Sequence, residues 1–409
     1  MGEHEQLSTY GTLKKTLKNI FKVIYAPREA FKEISQNPKY IGPILIMILF
    51  VAAYMGYAYI VLSKTYEEQT LPTVSQRTEN STLWVENPWI ENSTLWTSNT
   101  NNITISDDYI YGSYYGNKSI EFSFVNDTQV WMQLNNIGPV NCSEPMGYKN
   151  MSLRVRLIHP SMFGLKNASL YLYSSSADFF YYNLTGNFVS PDNNAWNNLI
   201  IPVGPGNENW TKQSSNADWS NITSLRIEFT CLKNTSLIVR LNGLFFRGIF
   251  KSPIENTTGY MGISLNAFMQ FIVNWVFLGG ILYIMTKAFR AKTIWKPLLI
   301  LVGFALITLF IQALINAAAF STLSTIYYPV EYIGGTQGER EIASNKILEQ
   351  TWLVSNIYRF VQIGVYVWTI ALCAFATRLL AEFSWSKSFL IATVAYFVTM
   401  MAQSFLLGF

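Results

Sequence analysis

Residues 25–50 read YAPREAFKEISQNPKYIGPILIMILF, a proline-bracketed charged segment that leads directly into an apolar one. Pro27 suits the first turn of a helix, because its missing N–H group would be unpaired there. Pro38 ends that helix, since the residue before a proline avoids the α region. From Ile41 the chain is apolar over about 20 residues, the length that crosses a bilayer. The stretch therefore predicts a cytoplasmic surface helix followed by a first membrane span.

The segment before this span has its own pattern. Leu13, Leu17 and Ile20 fall at helical spacing, and lysines occupy much of the remaining surface. Such a helix lies on a membrane surface, with its basic residues near anionic headgroups. Residues 1–40 are therefore predicted to form a cytoplasmic amphipathic segment, and residues 41–63 to form the first transmembrane helix, an uncleaved signal anchor.

The composition indicates a membrane protein. Half of the 409 residues are hydrophobic and 13% are charged, whereas globular proteins carry about 25% charged residues. The apolar windows are Ile41–Leu62, Ile263–Thr286, Pro297–Phe320, Phe360–Leu380 and Ser388–Phe409. The fold class is predicted as a membrane α-helical bundle of five transmembrane helices, four of them within 259–409. The net charge of +4 includes no dense basic run, and no nucleic acid partner is predicted.

Basic residues predict the orientation. The loop between the second and third spans contains four bases and no acid. Because positive charge concentrates in cytoplasmic loops, we expect a cytoplasmic N-terminus, with residues 64–263 and the C-terminus extracytoplasmic. The protein would be integral to the cell membrane, or to the Golgi or ER membrane in a eukaryote.

Glycosylation sequons point to the same side. Thirteen N-x-[S/T] sequons lie between the first two spans, and glycosylation is expected at several of them. They begin at Asn80, Asn92, Asn102, Asn117, Asn126, Asn141, Asn150, Asn167, Asn183, Asn209, Asn221, Asn234 and Asn256. Cys142 and Cys231 lie in the same region, where a disulfide can form. We expect this bridge, and two buried free thiols are the alternative.

The region between the first two spans is predicted to be rich in β-structure. Residues 64–105 are predicted to form a glycosylated linker, and residues 106–258 an antiparallel β-sandwich, because apolar residues alternate along many short segments. Trp84, Trp89 and Trp96 in the linker are candidate ligand-binding residues, since such rings stack on sugar faces. The alternative is that they pack against the sandwich or membrane headgroups. The tyrosine-rich strands are predicted to belong to the core.

Three helical motifs resemble the YIP (Ypt/Rab-interacting protein) superfamily. They are YAPREAFKEISQNPKYIGPILI, KAFRAKTIWKPLLILVGFALI and RLLAEFSWSKSFLIATVAYFV, at residues 25–46, 287–307 and 378–398. The resemblance implies a non-enzymatic membrane protein that assembles with other membrane proteins and, in eukaryotes, serves vesicle traffic with small GTPases. The long insertion and its sequons favour an archaeal relative.

The tail of the insertion resembles galactose-binding-like carbohydrate-binding jelly rolls. The matching features are Trp196 before NNLIIPV, Asp218 and Trp219 in ADWSNITSLRIEF, and the segment LIVRLNGLFF. The resemblance implies a jelly-roll fold, inserted between the first and second helices, and a glycan as ligand. Asn242 stands where these modules often carry an acid, which weakens the implication of a calcium site.

These observations predict a non-enzymatic integral membrane scaffold or trafficking-type protein, with an extracytoplasmic domain that binds a glycan or a protein. Its other partners would be the lipid bilayer and a membrane protein or a second copy of the chain. No catalytic residue, metal ligand or cofactor is predicted, and the chain has two histidines. One alternative is a transporter or channel subunit, and the other is a membrane-anchored hydrolase. Among the uncharged amides within the spans, six are expected to bond between helices: Gln270, Asn274, Gln312, Asn316, Gln362 and Gln403.

Overall fold

The computed structural model describes residues 2–73, 75–79, 82–110, 112, 117–159, 164–188, 194–255 and 258–407. The chain divides into two compact units. The helical unit comprises Met1–Thr65, Ser252–Ile326 and Glu349–Phe409. The sandwich unit comprises Tyr66–Lys251 and Tyr327–Leu348, so a second, later segment joins the predicted insertion.

Long apolar helices dominate the helical unit. In chain order the helices are α1 (Gly2–Tyr25), α2 (Pro27–Gln36), α3 (Ile41–Lys64), α4 (Thr258–Ala288), α5 (Trp295–Ala305), α6 (Ile307–Ser321), α7 (Val330–Gly334), α8 (Gln337–Ala381) and α9 (Trp385–Leu407). By length and composition, five helical segments of the described chain could cross a membrane: α3, α4, α5 with α6, α8 and α9. The third predicted span is thus two helices that meet at Leu306, without a proline at the break.

The N-terminal helices pack against this bundle on one side. Ile20 and Val23 of α1 and Phe31 of α2 are buried in the core of the helical unit. Lys22 of α1 contacts Glu33 of α2 at 2.5 Å. Phe21 remains exposed, so α1 keeps a free apolar side as well as its packed one.

Two glycines allow α3 and α5 to touch. A Cβ atom added to Gly42 would lie 2.0 Å from Cζ of Phe304, and one added to Gly303 would lie 2.5 Å from Cβ of Pro43. A side chain at Gly303 would meet the rigid Pro43 ring and force the helices apart, whereas one at Gly42 would require the ring of Phe304 to move. Nearby, Trp275 Nε1 donates a hydrogen bond to the Leu299 carbonyl at 2.7 Å.

The sandwich unit is built from antiparallel strands. The strands are β1 (Thr65–Leu71), β2 (Ser75–Glu79), β3 (Thr82–Glu86), β4 (Trp96–Ser98), β5 (Ile103–Ser106), β6 (Ser119–Leu134), β7 (Asn150–Ile158), β8 (Leu165–Tyr173), β9 (Phe179–Asn183), β10 (Trp196–Pro202), β11 (Trp210–Lys212), β12 (Ser224–Lys251) and β13 (Ile326–Tyr328). Continuous pairing joins all but β2 and β3 into one 11-stranded sheet.

The two long strands β6 and β12 contribute to both layers of the sandwich. The second half of β12 pairs with the first half of β6 and with β7, and layer one continues to β10, β5, β1 and β13. The first half of β12 pairs with the second half of β6 and with β8, and layer two continues to β4, β9 and β11. Alternate residues of both layers, such as Phe122, Val155, Leu170 and Phe229, share one buried core. The alternating sequence pattern therefore predicted the antiparallel sandwich correctly.

The predicted linker 64–105 differs in the structure. Strands β1, β4 and β5 belong to the main sheet, and Trp89, Ile90 and Trp96 are part of the sandwich core. Asn87 anchors this segment, because its buried side chain donates a hydrogen bond to the Leu244 carbonyl at 2.7 Å. Ser, Thr and Asn are abundant here, but the few large rings provide enough apolar area to hold the segment on the sandwich.

Residues 327–348 belong to the same unit through buried ion pairs. Arg247 of β12 donates to both carboxylate oxygens of Glu68, at 2.8 and 2.7 Å, and also to Glu331 of α7. Arg154 of β7 donates to Glu339 at 2.6 Å. The acids of this segment are thus partners of sandwich arginines, a role that the sequence did not reveal.

Candidate functional site

The structure corrects the predicted ligand-binding tryptophans. Trp89 is 6% exposed and Trp96 is 4% exposed, so neither ring can stack on a ligand. Trp96 Nε1 donates to the Trp89 carbonyl at 2.7 Å, and its ring meets Phe122 edge to face. Both tryptophans are core residues, in line with the alternative of packing against the sandwich. Trp84 lies in β3, and its side chain is outside the described part of the structure.

The sequon asparagines lie at the surface of the sandwich unit wherever the structure describes them. Asn80 and Asn256 are outside the described residues. Three are half-buried: Asn117, Asn150 and Asn167. The exposed ones are Asn92, Asn102, Asn126, Asn141, Asn183, Asn209, Asn221 and Asn234. Glycosylation remains a prediction, and this exposure is compatible with it.

The predicted bridge between Cys142 and Cys231 is wrong in this structure, where both residues are buried free thiols. The N–H group of Cys142 donates to the Trp219 carbonyl, next to the bridge between Val140 and Ile222. Cys231 lies further along the chain, within strand β12, which begins at Ser224. The extended chain from Ile222 to Cys231 spans about 30 Å at about 3.3 Å per residue, whereas a disulfide needs Cα atoms within about 7 Å.

We therefore expect the purified protein to contain free thiols at both positions. Burial raises the pKa of Cys142 to about 12, and burial also raises the pKa of Cys231. Because the thiolate is the reactive form, a maleimide should label these residues only after unfolding. Peptide mapping by mass spectrometry measures this labelling, and a reducible crosslink between the Cys142 and Cys231 peptides would contradict the structure.

The outer face of layer two carries a group of aromatic side chains. Trp131 lies on β6, Tyr171 and Tyr173 on β8, and Phe179 and Tyr181 on β9, and all five are half-buried. They alternate with core residues along their strands, so they occupy the face away from the core. We call these five residues the aromatic platform.

Strand register brings four of the rings together. Tyr171 lies opposite Tyr181, and Tyr173 lies opposite Phe179. The ring centroids of Tyr171 and Tyr181 are 5.5 Å apart, those of Tyr171 and Phe179 are 5.7 Å apart, and those of Tyr173 and Phe179 are 5.3 Å apart. These separations are within the range of favourable aromatic contacts, so the rings form one continuous surface.

Arg226 of β12 links the fifth ring to this cluster. Its guanidinium lies 4.4 Å from the ring centroid of Trp131 and 6.0 Å from that of Tyr171, which are cation–π distances. Arg226 donates to Glu228 at 2.6 Å, and Gln129 donates to the other carboxylate oxygen of Glu228. The platform therefore combines apolar rings with an internally neutralised arginine and neighbouring amides.

Two of the platform tyrosines, Tyr171 and Tyr173, keep their protons. Burial raises the pKa of Tyr171, with a smaller contribution in the same direction from Glu228. Burial likewise raises the pKa of Tyr173. Both phenols are therefore neutral at physiological pH and can donate as well as accept hydrogen bonds.

Layer one carries a different, ion-paired face. Asp108 accepts hydrogen bonds from Arg156, at 2.7 Å, and from Arg240, which also donates to Glu121 at 2.6 Å. Asp107 pairs with Lys118. The acidic pair at 107–108 is thus held by basic side chains. Among the described residues, no group of three or more His, Cys, Asp or Glu side chains is arranged to hold a metal ion.

A scan with protein-family models and a search of curated proteins gave no match. Among solved structures, the chain is similar to the family 11 carbohydrate-binding module of cellulase Lic26A-Cel5E of Clostridium thermocellum, at 13% identity and a TM-score of 0.25, over 44% of this chain and 93% of that chain. It is similar to CBM28, a module specific for non-crystalline cellulose, at 10% identity and a TM-score of 0.27, over 44% of this chain and 100% of that chain. It is similar to a beta-1,2-glucanase from Parabacteroides distasonis at 14% identity and a TM-score of 0.26, over 39% of this chain and 24% of that chain. At these TM-scores and identities the likeness identifies no ligand, and the strand pairing and packing of this chain itself describe its sandwich and its platform.

Proposed function

We propose that this protein is a membrane-anchored, non-enzymatic glycan-binding protein whose sandwich unit holds an uncharged glycan on the aromatic platform. The observation that carries the proposal is the presence of five half-buried rings with Arg226, Glu228 and Gln129 on one sheet face. A sugar has CH-rich faces that pack on rings, and hydroxyl groups at its edges that bond to amide and charged side chains.

The charge of the platform supports a neutral ligand. Arg226 is the cation among the platform contacts, and its hydrogen bond to Glu228 neutralises it. An acidic sugar would have to break this pair or leave its own charge without a partner, and both cost free energy. A neutral sugar can instead bond to the outer edges of the pair.

The helical unit would serve as the anchor. Its five candidate spans and the distribution of bases predict that the sandwich unit lies outside the cytoplasm. On this account the helices act as a scaffold for a membrane-protein partner or a second copy of the chain. The resemblance of three helical motifs to the YIP superfamily supports this role and remains a hypothesis.

The proposal is tested by the affinity of the full-length protein in detergent for a panel of neutral oligosaccharides. Trp131→Ala should weaken binding by about tenfold or more, because a tryptophan ring that packs on a ligand contributes about 2 kcal/mol. Asn183, a predicted glycan acceptor, lies two residues from Tyr181 on the same strand face. All variants therefore also carry Asn183→Gln, which keeps a tethered glycan off the platform.

The matched control is Trp196→Ala, which removes a half-buried tryptophan from β10 of layer one. This variant should bind like the parent protein. Equal affinity in the Trp131 variant and the parent would contradict the proposal. Shortened oligosaccharide products, formed at a rate that depends on one carboxylate of the sandwich, would favour the alternative of an extracytoplasmic hydrolase.

A further inference from the structure

The helical unit contains a cavity of about 440 Å³ that is lined by polar side chains. Its lining residues come from α3, α4, α6, α8 and α9. Six of the seven amides in the apolar windows, all but Asn266, meet here: Gln270, Asn274, Gln312, Asn316, Gln362 and Gln403. The volume is within the range of about 300–1,000 Å³ that is typical of small-molecule sites.

Sequence spacing explains this convergence. Gln270 and Asn274 are four residues apart on α4, and Gln312 and Asn316 are four residues apart on α6. Residues at this spacing share one helix face. Amides exposed to hydrocarbon are costly, so faces that carry them turn inward, toward a neighbouring helix or a polar cavity. Four separate helices turn these residues toward the same space.

Burial differs from one amide to another. The four glutamines are half-buried, whereas Asn274 is 7% exposed and Asn316 is 4% exposed. Asn274 Nδ2 donates to the backbone carbonyl of Gln270 at 2.9 Å, and the side chain of Gln362 donates to the hydroxyl of Tyr366. Within the described part of the chain, Asn316 Oδ1 has no hydrogen-bond partner. A buried carbonyl oxygen without a donor is costly, and a ligand hydroxyl would remove that cost.

The lining defines the chemistry of a ligand. It contains no Asp, Glu, Lys, Arg or His, so a charged ligand would be buried without a counter-charge. Amides offer a donor and an acceptor side by side, which matches adjacent hydroxyl groups on a ring. Five tyrosines, Phe50, Leu309 and Met400 offer apolar surface for the CH groups of the same ring.

We propose that this cavity binds one uncharged, hydroxyl-rich ring, a neutral sugar unit, either free or as the headgroup of a glycolipid. The site is separate from the aromatic platform and does not depend on it. The buried Asn316 accepts a hydroxyl hydrogen bond at its Oδ1, and the half-buried glutamines bond to the remaining hydroxyl groups.

The test uses the full-length protein in lipid nanodiscs and native mass spectrometry. One arm adds a monoglycosyl diacylglycerol to the nanodisc lipid, a second adds a free methyl hexoside, and a third adds a hexuronic acid. The expected result is binding of the first probe, or of the first and second, with no binding of the third. Binding of the glycolipid alone identifies a lipid source, and binding of the methyl hexoside as well shows that the sugar ring suffices.

Variants assign the binding to the cavity. Asn316→Leu, which is nearly isosteric, should weaken binding by about tenfold or more, because it removes the buried acceptor. Gln312→Leu at a half-buried position should act in the same direction if the first variant folds poorly. Thr377→Val is the control, since Thr377 is a buried polar residue of α8 outside the cavity lining.

Failure of the cavity proposal and failure of the platform proposal give different results. Trp131→Ala should leave this binding unchanged, whereas the cavity variants should leave oligosaccharide binding to the sandwich unit unchanged. Binding of neither neutral probe, equal binding of the hexuronic acid, or binding that survives both cavity variants would overturn the proposal.

Discussion

Arg247→Ala is expected to destabilise the sandwich unit by about 3–5 kcal/mol, the cost of removing one partner from a buried ion pair. The side chain of Arg247 is 10% exposed, and that of Glu68 is 3% exposed. Without the guanidinium, the carboxylates of Glu68 and Glu331 would be left close together and unpaired. The backbone N–H group of Val330 also donates to Glu68, at 3.1 Å, so the 327–348 segment would be weakened as well.

Pulse proteolysis of the full-length protein in increasing urea would measure this loss. Lys118→Ala is the control, because the pair of Lys118 and Asp107 is exposed, and exposed ion pairs contribute little to stability. The combined variant Arg247→Met, Glu68→Gln, Glu331→Gln should recover much of the stability, since it leaves no unpaired charge. A loss below about 1 kcal/mol in Arg247→Ala would show that the cluster is not buried as described.

Gly303→Val should be the most disruptive single substitution in the helical unit, with a cost of about 3 kcal/mol from overpacking. The rigid ring of Pro43 and the indole of Trp275, whose Nε1 would lie 2.7 Å from an added Cβ, leave no room for a side chain. Separating α3 from α5 would also expose Phe304, which is buried at this crossing.

The midpoint of thermal aggregation in detergent, read by size-exclusion chromatography, measures this effect. Gly364→Val is the matched control, because an added Cβ at Gly364 in α8 has no atom within 4 Å. This control should leave the midpoint unchanged or raise it, since glycine is a poor helix former. If both variants behaved alike, the close crossing of α3 and α5 would be disproved.

The helical bundle and the β-sandwich could both be predicted from the sequence, because each leaves a strong local pattern in it. Apolar windows mark the five candidate spans, and alternation marks the strands. The break between α5 and α6 at Leu306 could not be predicted from the sequence. Neither a proline nor a charged residue marks it, and the apolar window continues through Ala305 and Ile307.

The candidate site was harder to predict than the fold, because alternation does not say which face of a strand is inside. Trp131 and Tyr171 alternate with Met132 and Leu172, and both sets are apolar enough for a core. Neighbouring polar residues such as Arg226 and Glu228 gave the one usable signal, since charged side chains seldom face a sandwich core.

The sequence did not predict that the linker 64–105 and residues 327–348 belong to the sandwich unit, and the reason is the same for both. Residues 64–105 and 327–348 have polar compositions, and their places in the sandwich unit depend on a few contacts with residues distant in sequence. Glu68 and Glu331 meet Arg247, and Asn87 meets Leu244, across separations that no local pattern records. The convergence of the span amides on one cavity is equally non-local, although their i, i+4 spacing hinted at shared faces.

Photo-crosslinking tests whether the aromatic platform is the glycan-binding surface. A neutral oligosaccharide with a diazirine group is crosslinked to the full-length Asn183→Gln protein, and the labelled peptides are mapped. If the platform binds the glycan, labels will fall within β6, β8 and β9, on the peptides that contain Trp131, Tyr171, Tyr173 and Tyr181, and unlabelled oligosaccharide will remove them by competition. Competable labels confined to layer one, or no competable label in the sandwich unit, would contradict this proposal.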